Sequence, residues 1–213
     1  MNTATTEPGT GWHFEYNTGI RTRHPLPDVA RPTTRYRILG LDDDQLRRDI
    51  AVHEAGHATL LLFWGIPFEF VEIAADLGKG SGSGGRVAIS GTAPFEHVIV
   101  ELAAGERAED RWMREVGLWS PQRAFAVEIG ACGDRRAIDT AVRTVHGTGL
   151  TYGTSTDWTR DLAALHQRAD EAVDAVWDRV LTLAEALERN GRLTHEQAAE
   201  AAGFTPVGIG GAR

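Results

Sequence analysis

His53-Glu54-Ala55-Gly56-His57 sets two imidazoles four residues apart with a carboxylate beside the first. On a helix that step is about one turn, so both rings leave the same face at a spacing suited to sharing one metal ion. Zinc at a catalytic centre takes three protein ligands and leaves a fourth position to water, so a third ligand has to come from elsewhere in the chain. The ion lowers the pKa of that water to about 7 and polarises a scissile carbonyl. Glu54 is the candidate general base, taking the water's proton and passing it to the leaving amine. The chemistry implied is metal-assisted hydrolysis, with Zn2+ as cofactor and a peptide or small amide as substrate. Two histidines at this spacing can also be ordinary core residues with backbone partners. Three local features favour the metal: the pair continues an inward apolar stripe, Glu54 stands where a base is needed, and Gly56 is kept in mid-helix. Glycine there costs about 1 kcal/mol relative to alanine, which close packing against the helix would explain.

The elements that must position these groups can be read around them. Asp42 to Asp44 offer an N-cap and first-turn acids, and Leu46, Ile50, His53, His57, Leu60 and Trp64 recur at steps of three or four. That pattern predicts one helix with one inward stripe, ended by Gly65 and Pro67. Phe68 to Ile73 and Gly85 to Ser90 read as short strands around the glycine-serine run 78–84, a hairpin with a mobile tip. If the second strand is an edge beside the metal helix, an extended peptide can add to it, and the tip can act as a lid. Helical patterns follow over 96–115, 135–146 and 157–189, and the capping box Thr194-His195-Glu196-Gln197 opens a last short helix. Residues 1–40 are rich in Thr, Pro, Gly and Arg without periodicity and are expected to form an extended or partly disordered N-terminal arm. The folded domain is expected over 41–204, with a flexible tail over 205–213. The fold class expected is mainly α with a small β-hairpin or sheet, that is, α+β.

Composition narrows the partners. With 213 residues, 42% hydrophobic and 24% charged, the chain can bury one ordinary core. The formal net charge of -8, without a Lys/Arg cluster, offers no footprint for nucleic acid. Cys132 is the single cysteine, and the N-terminus has neither the basic start nor the apolar run of a secretory signal, so a reducing cytoplasm is expected. The longest apolar stretch, Ala58 to Phe70, is interrupted by Trp64-Gly65-Ile66-Pro67 and is too short to span a bilayer, so no membrane anchor is expected. Gly78-Lys79 lacks the residue order of a phosphate-binding loop. Trp112, Trp119, Trp158 and Trp177 are expected as core anchors rather than pocket walls, and Cys132 as a small buried residue rather than a soft metal ligand.

Beyond the five-residue motif, the chain resembles the peptidase domain of the FtsH-type, ATP-dependent zinc metalloproteases over roughly residues 43–203. Ala51-Val-His-Glu-Ala-Gly-His-Ala58 resembles that family's zinc helix, and Val71-Glu-Ile with Gly85-Arg-Val-Ala-Ile is similar to the strand pair that follows it. Glu101-Leu-Ala-Ala-Gly-Glu-Arg-Ala-Glu109 is similar to the helix carrying a Gly-Arg-x-Ala-Glu-Glu run, altered at Glu106-Arg107. Gly130-Ala-Cys-Gly-Asp134 resembles the Gly-Ala-Ser-Asn-Asp segment whose last aspartate is the family's third zinc ligand, and 176–201 has the look of the closing helices. The resemblance implies a mostly helical, zincin-like metallopeptidase domain with Asp134 completing the site. Asp134 can equally cap the helix beginning at Arg135. Asp157, in Thr154-Ser-Thr-Asp-Trp158, is a rival because it also precedes a helix. Glu109, Asp110 and His146 are weaker candidates, as acids of a solvated face and a helix-end cap.

The departures from the family matter too. No ATPase module and no transmembrane segments are seen, so a small peptide, an exposed tail or a non-peptide amide is the expected substrate. No hexameric ring is expected, and the assembly state stays open. Two other functions fit the same residues: a zinc-dependent tailoring enzyme acting on a small-molecule or peptide natural product, and a zincin-fold binding protein without catalysis. The intact Glu54 argues against the second.

Overall fold

The computed structural model describes residues 5–6, 11–15, 18–25, 34–74 and 84–205. Among them the chain is mainly helical with two small antiparallel sheets. The expected tip of the hairpin falls almost wholly, and the expected tail all but Thr205, outside the described residues. No described helix is long and apolar enough to cross a membrane.

The centre of the fold is the helix Asp43–Phe63 (α2; an earlier, short helix Arg35–Leu39 is α1). Its start is a complete capping box: Asp42 accepts from the Gln45 backbone N–H at 2.8 Å, and the Gln45 side chain accepts from the Asp42 N–H at 3.3 Å. It ends where Gly65 adopts a positive φ of 67° ahead of Ile66-Pro67. Against it lies α3, Phe95–Glu115. The two helices meet at Gly56, where a Cβ would stand 2.8 Å from the Ala104 carbonyl oxygen and 2.9 Å from the Ala108 Cβ. Helix-to-helix packing therefore accounts for the glycine in the motif.

After α2 the chain forms the expected pair of strands, β4 over Phe68–Ile73 and β5 over Gly85–Ile89, with a register shift between Phe68 and Phe70. A third strand, β6 over Arg192–Thr194, pairs with the other side of β4, which leaves β5 at the edge of the described sheet. At three residues β6 is too short to show alternation. The later helices are α4 (Pro121–Gly130), α5 (Cys132–His146), α6 (Leu162–Ala175), α7 (Trp177–Asn190) and α8 (His195–Ala201). Helix α4 was not expected from periodicity, although Ser120 caps it and Pro121 sits at its first turn. The single helix expected over 157–189 is two, because 157–161 is loop and the backbone breaks at Val176 (φ -126°, ψ 15°) without a glycine or proline to announce it. The capping box at Thr194 opens α8 as expected.

Among residues 1–40, expected as an extended arm, the described ones include three short strands and one short helix. Strands β1 (Thr5–Thr6), β2 (His13–Glu15) and β3 (Ile20–Thr22) form an antiparallel sheet, followed by α1. Trp12 is 1% exposed, edge-on to Tyr152 with ring centres 5.4 Å apart. Strands of two or three residues leave no periodic trace, and burying one tryptophan secures them instead.

Candidate metal centre

One turn of α2 brings the His53 and His57 Nε2 atoms to 3.2 Å from each other. The first turn of α5 adds Asp134, whose Oδ2 lies 3.3 Å from His53 Nε2 and 3.8 Å from His57 Nε2. Ligands held at about 2.0–2.1 Å around a tetrahedral zinc stand roughly 3.3–3.4 Å apart. Two of the three separations match that spacing and the third, 3.8 Å, is wider; the three atoms are the one potential metal-binding group of His, Cys, Asp and Glu found among the described residues. Asp157 is not part of it: exposed in the loop before α6, it accepts hydrogen bonds from the Thr159 backbone at 3.1 Å and the Thr159 hydroxyl at 2.6 Å.

The outward nitrogens of both imidazoles are held as a metal site requires. His53 Nδ1 lies 3.0 Å from Glu109 Oε2, and His57 Nδ1 lies 2.8 Å from the Glu101 carbonyl and 3.1 Å from its carboxylate. A proton on each Nδ1 leaves each Nε2 lone pair free for the ion and fixes the ring plane. Glu109 is thus a buried partner of a candidate ligand, not an acid on a solvated face. It also pairs with Arg35, which reaches Asp49 at 2.8 Å. Asp110 is used elsewhere, accepting from Trp119 Nε1 at 2.8 Å and pairing with Arg107 and Arg114. His146 lies 3.2 Å from the Thr159 hydroxyl.

Two glycines shape the centre. At Gly105 on α3 any Cβ would collide with the Nε2 atoms of both histidines. At Gly85, where β5 begins, a Cβ would stand 2.5 Å from Glu54 Cγ, so the strand's backbone presses directly on that side chain. Glu54 is 7% exposed, and burial pushes its carboxyl up to about 6 despite the pull of the two imidazoles. Burial opposes a charged His57, yet the bond to Glu101 and the charge of Asp134 raise it to about 9, and Asp134 and Glu109 likewise raise His53. Burial works against an ionised Asp134 as well, but the bond from His53 and the charge of His57 hold it below the usual carboxylate range. These shifts describe a cluster of carboxylates and imidazoles that favours positive charge at its centre. The residues present fit a divalent cation.

Beyond these groups, Arg135 ties the turn carrying Asp134 to the rest of the fold. Its Nε and Nη2 donate to the two oxygens of Glu106 at 2.7 and 2.6 Å, and its Nη1 donates to the Arg21 carbonyl of β3 at 2.7 Å. The contact to Arg21 spans 114 residues and that of His53 to Glu109 spans 56, so no local spacing announces Arg135, Arg35 or the role of Glu109. A mid-helix glycine was the one visible signal for Gly105.

The centre lies in a cleft of about 510 Å³ whose walls include the edge strand β5 and the turn between α4 and α5. Glu54 faces the same cleft as the three donors. Among the described residues no tryptophan lines it: Trp12, Trp112 and Trp177 are buried in the core, and Trp64, Trp119 and Trp158 are half-buried against it. Cys132, at the start of α5 two residues before Asp134, does line the cleft and is half-buried rather than buried. Compared with known proteins, the chain matches no family model and no curated protein.

Proposed function

We propose that this chain is a zinc-dependent metallohydrolase, in the first instance a peptidase of zincin-like fold, with His53, His57 and Asp134 as ligands and Glu54 as general base. The observation that carries this reading is the placement of three donors within 3.2–3.8 Å of one another in one cleft with a buried carboxylate of raised pKa. The ion would supply a Lewis acid and an activated water. Glu54, buried in the same cleft, is the residue that would take a proton from such a water and return it to the leaving nitrogen. Glu101 and Glu109 keep the imidazoles in the metal-binding tautomer. The outer edge of β5, unpaired among the described strands, offers main-chain donors and acceptors to an extended substrate beside Glu54. That edge supports a peptide over a compact small molecule as substrate, and Glu54 in place supports catalysis over simple binding. The likeness of 51–58, 101–109 and 130–134 to the FtsH-type peptidase domain agrees with both. Glu54→Gln tests the reading: the variant should keep stoichiometric zinc and lose hydrolysis of unstructured peptides by at least about 100-fold, the scale of general base catalysis. Unchanged turnover in that variant would remove the proposed base.

A further inference from the structure

The cleft walls carry positive charge that the metal centre does not use. Its acidic lining residues are Glu54, Glu101 and Asp134, each already engaged as base, imidazole partner or candidate ligand. Its basic lining residues are Arg35, Arg86 and Arg136. Arg136 stands two residues after Asp134, exposed, and its guanidinium makes no hydrogen bond or ion pair among the described residues. Arg86, also in the lining, shares one carboxylate with Arg192: Glu72 accepts from Arg86 at 2.8 Å and from Arg192 at 3.0 Å, leaving one positive charge in excess. Arg35 is neutralised by Asp49 and Glu109, but its buried Nε–H has no acceptor. An unpaired Arg136 and a half-compensated Arg86 in one cleft stand out in a chain of net charge -8. Charge of one sign lining a cleft concentrates ligands of the other and selects among them.

We infer that the cleft selects substrates bearing a carboxylate, either an Asp or Glu side chain or the free C-terminus of an extended peptide, with Arg136 as the residue that reads it. The inference rests on the proposed metallopeptidase site and deepens it by naming the substrate class. A peptide laid along β5 runs past Arg86 in the cleft that Arg136 also lines, and its main-chain hydrogen bonds supply affinity without regard to sequence. The carboxylate supplies the preference. Because Arg136 and Arg86 are solvent-exposed, the gain is modest and salt-sensitive.

The experiment measures binding by fluorescence anisotropy to the zinc-loaded Glu54→Gln chain, so that no turnover is required. Three labelled peptides of about ten residues are compared: one with internal Glu and an amidated end, its Gln counterpart with an amidated end, and the Gln peptide with a free C-terminus. At low salt at least one carboxylate-bearing peptide should bind about 5–10-fold tighter than the neutral one, with the advantage fading at about 0.5 M salt. Arg136→Gln should erase the advantage and leave the neutral peptide's affinity unchanged, while Arg136→Lys should retain part of it. The better carboxylate peptide identifies the source of the anion. Equal affinities, a preference that survives Arg136→Gln, or no binding of any peptide would overturn the inference. The two readings fail separately. A wild-type chain that cleaves the neutral peptide as fast as the acidic one remains a peptidase without this selectivity. Arg136-dependent binding of acidic peptides that no wild-type chain cleaves keeps the anion site and removes the peptidase.

Discussion

Helix α2 and the residues before it serve the same centre by opposite means. In α2 everything that matters is local: the cap at Asp42, the stripe, and two imidazoles a turn apart with Glu54 beside the first. The preceding residues contribute through contacts with distant parts of the chain. Arg35 braces Glu109 behind His53, and the Arg21 carbonyl braces Arg135 beside Asp134. Ligands can thus be recognised by spacing, whereas the groups that hold ligands in place are defined only by the fold.

Three changes would break or sharpen that contrast. The largest effect belongs to Trp12→Ala. If the N-terminal residues are part of the body, removing this 1%-exposed side chain should cost about 3–5 kcal/mol in denaturant unfolding. A loss near zero would return residues 11–25 to the status of a loose arm. Next comes Glu109→Gln, which keeps the shape but removes the charge behind His53. Losing such an outer partner should weaken zinc binding about 10–100-fold in a chelator competition. Unchanged affinity would mean that α2 alone sets the site.

The smallest effect is a drift with pH. In the metal-free chain the folded pKa of His57 lies near 9, above the usual value of 6.5. Its contribution to stability is therefore complete below about 6.5 and is lost as pH rises through about 9. Zinc competes with the same protons, so its affinity should rise over that window. Melting temperatures of the metal-free and zinc-loaded chains should accordingly diverge from pH 6.5 to 9. Parallel curves would show that the imidazoles do not exchange protons for metal.

The same contrast explains what could be read in advance. Helix α2, the β4–β5 pair and the capping box of α8 were legible because each is written in residues a few positions apart. The break at Val176 was not, since no glycine or proline marks it, and β6 was not, since its three residues after Gly191 are too few to show alternation. Helix α4 carried its start signal in Ser120-Pro121 but no clear stripe. At the site, the two histidines and Glu54 followed from spacing, while Asp134 came only through resemblance. Gly105, Glu101 and Arg135 act across helices, where one-dimensional patterns do not reach.

The central claim is that His53, His57 and Asp134 grip one metal ion. Elemental analysis of the purified chain after zinc loading and exhaustive dialysis tests it most directly, alongside His53→Ala, Asp134→Ala and Asp157→Ala. The account predicts one zinc per chain in the unaltered protein and in Asp157→Ala, and loss of bound zinc in the other two. Zinc retained in His53→Ala or Asp134→Ala, or absent from the unaltered chain, would contradict it.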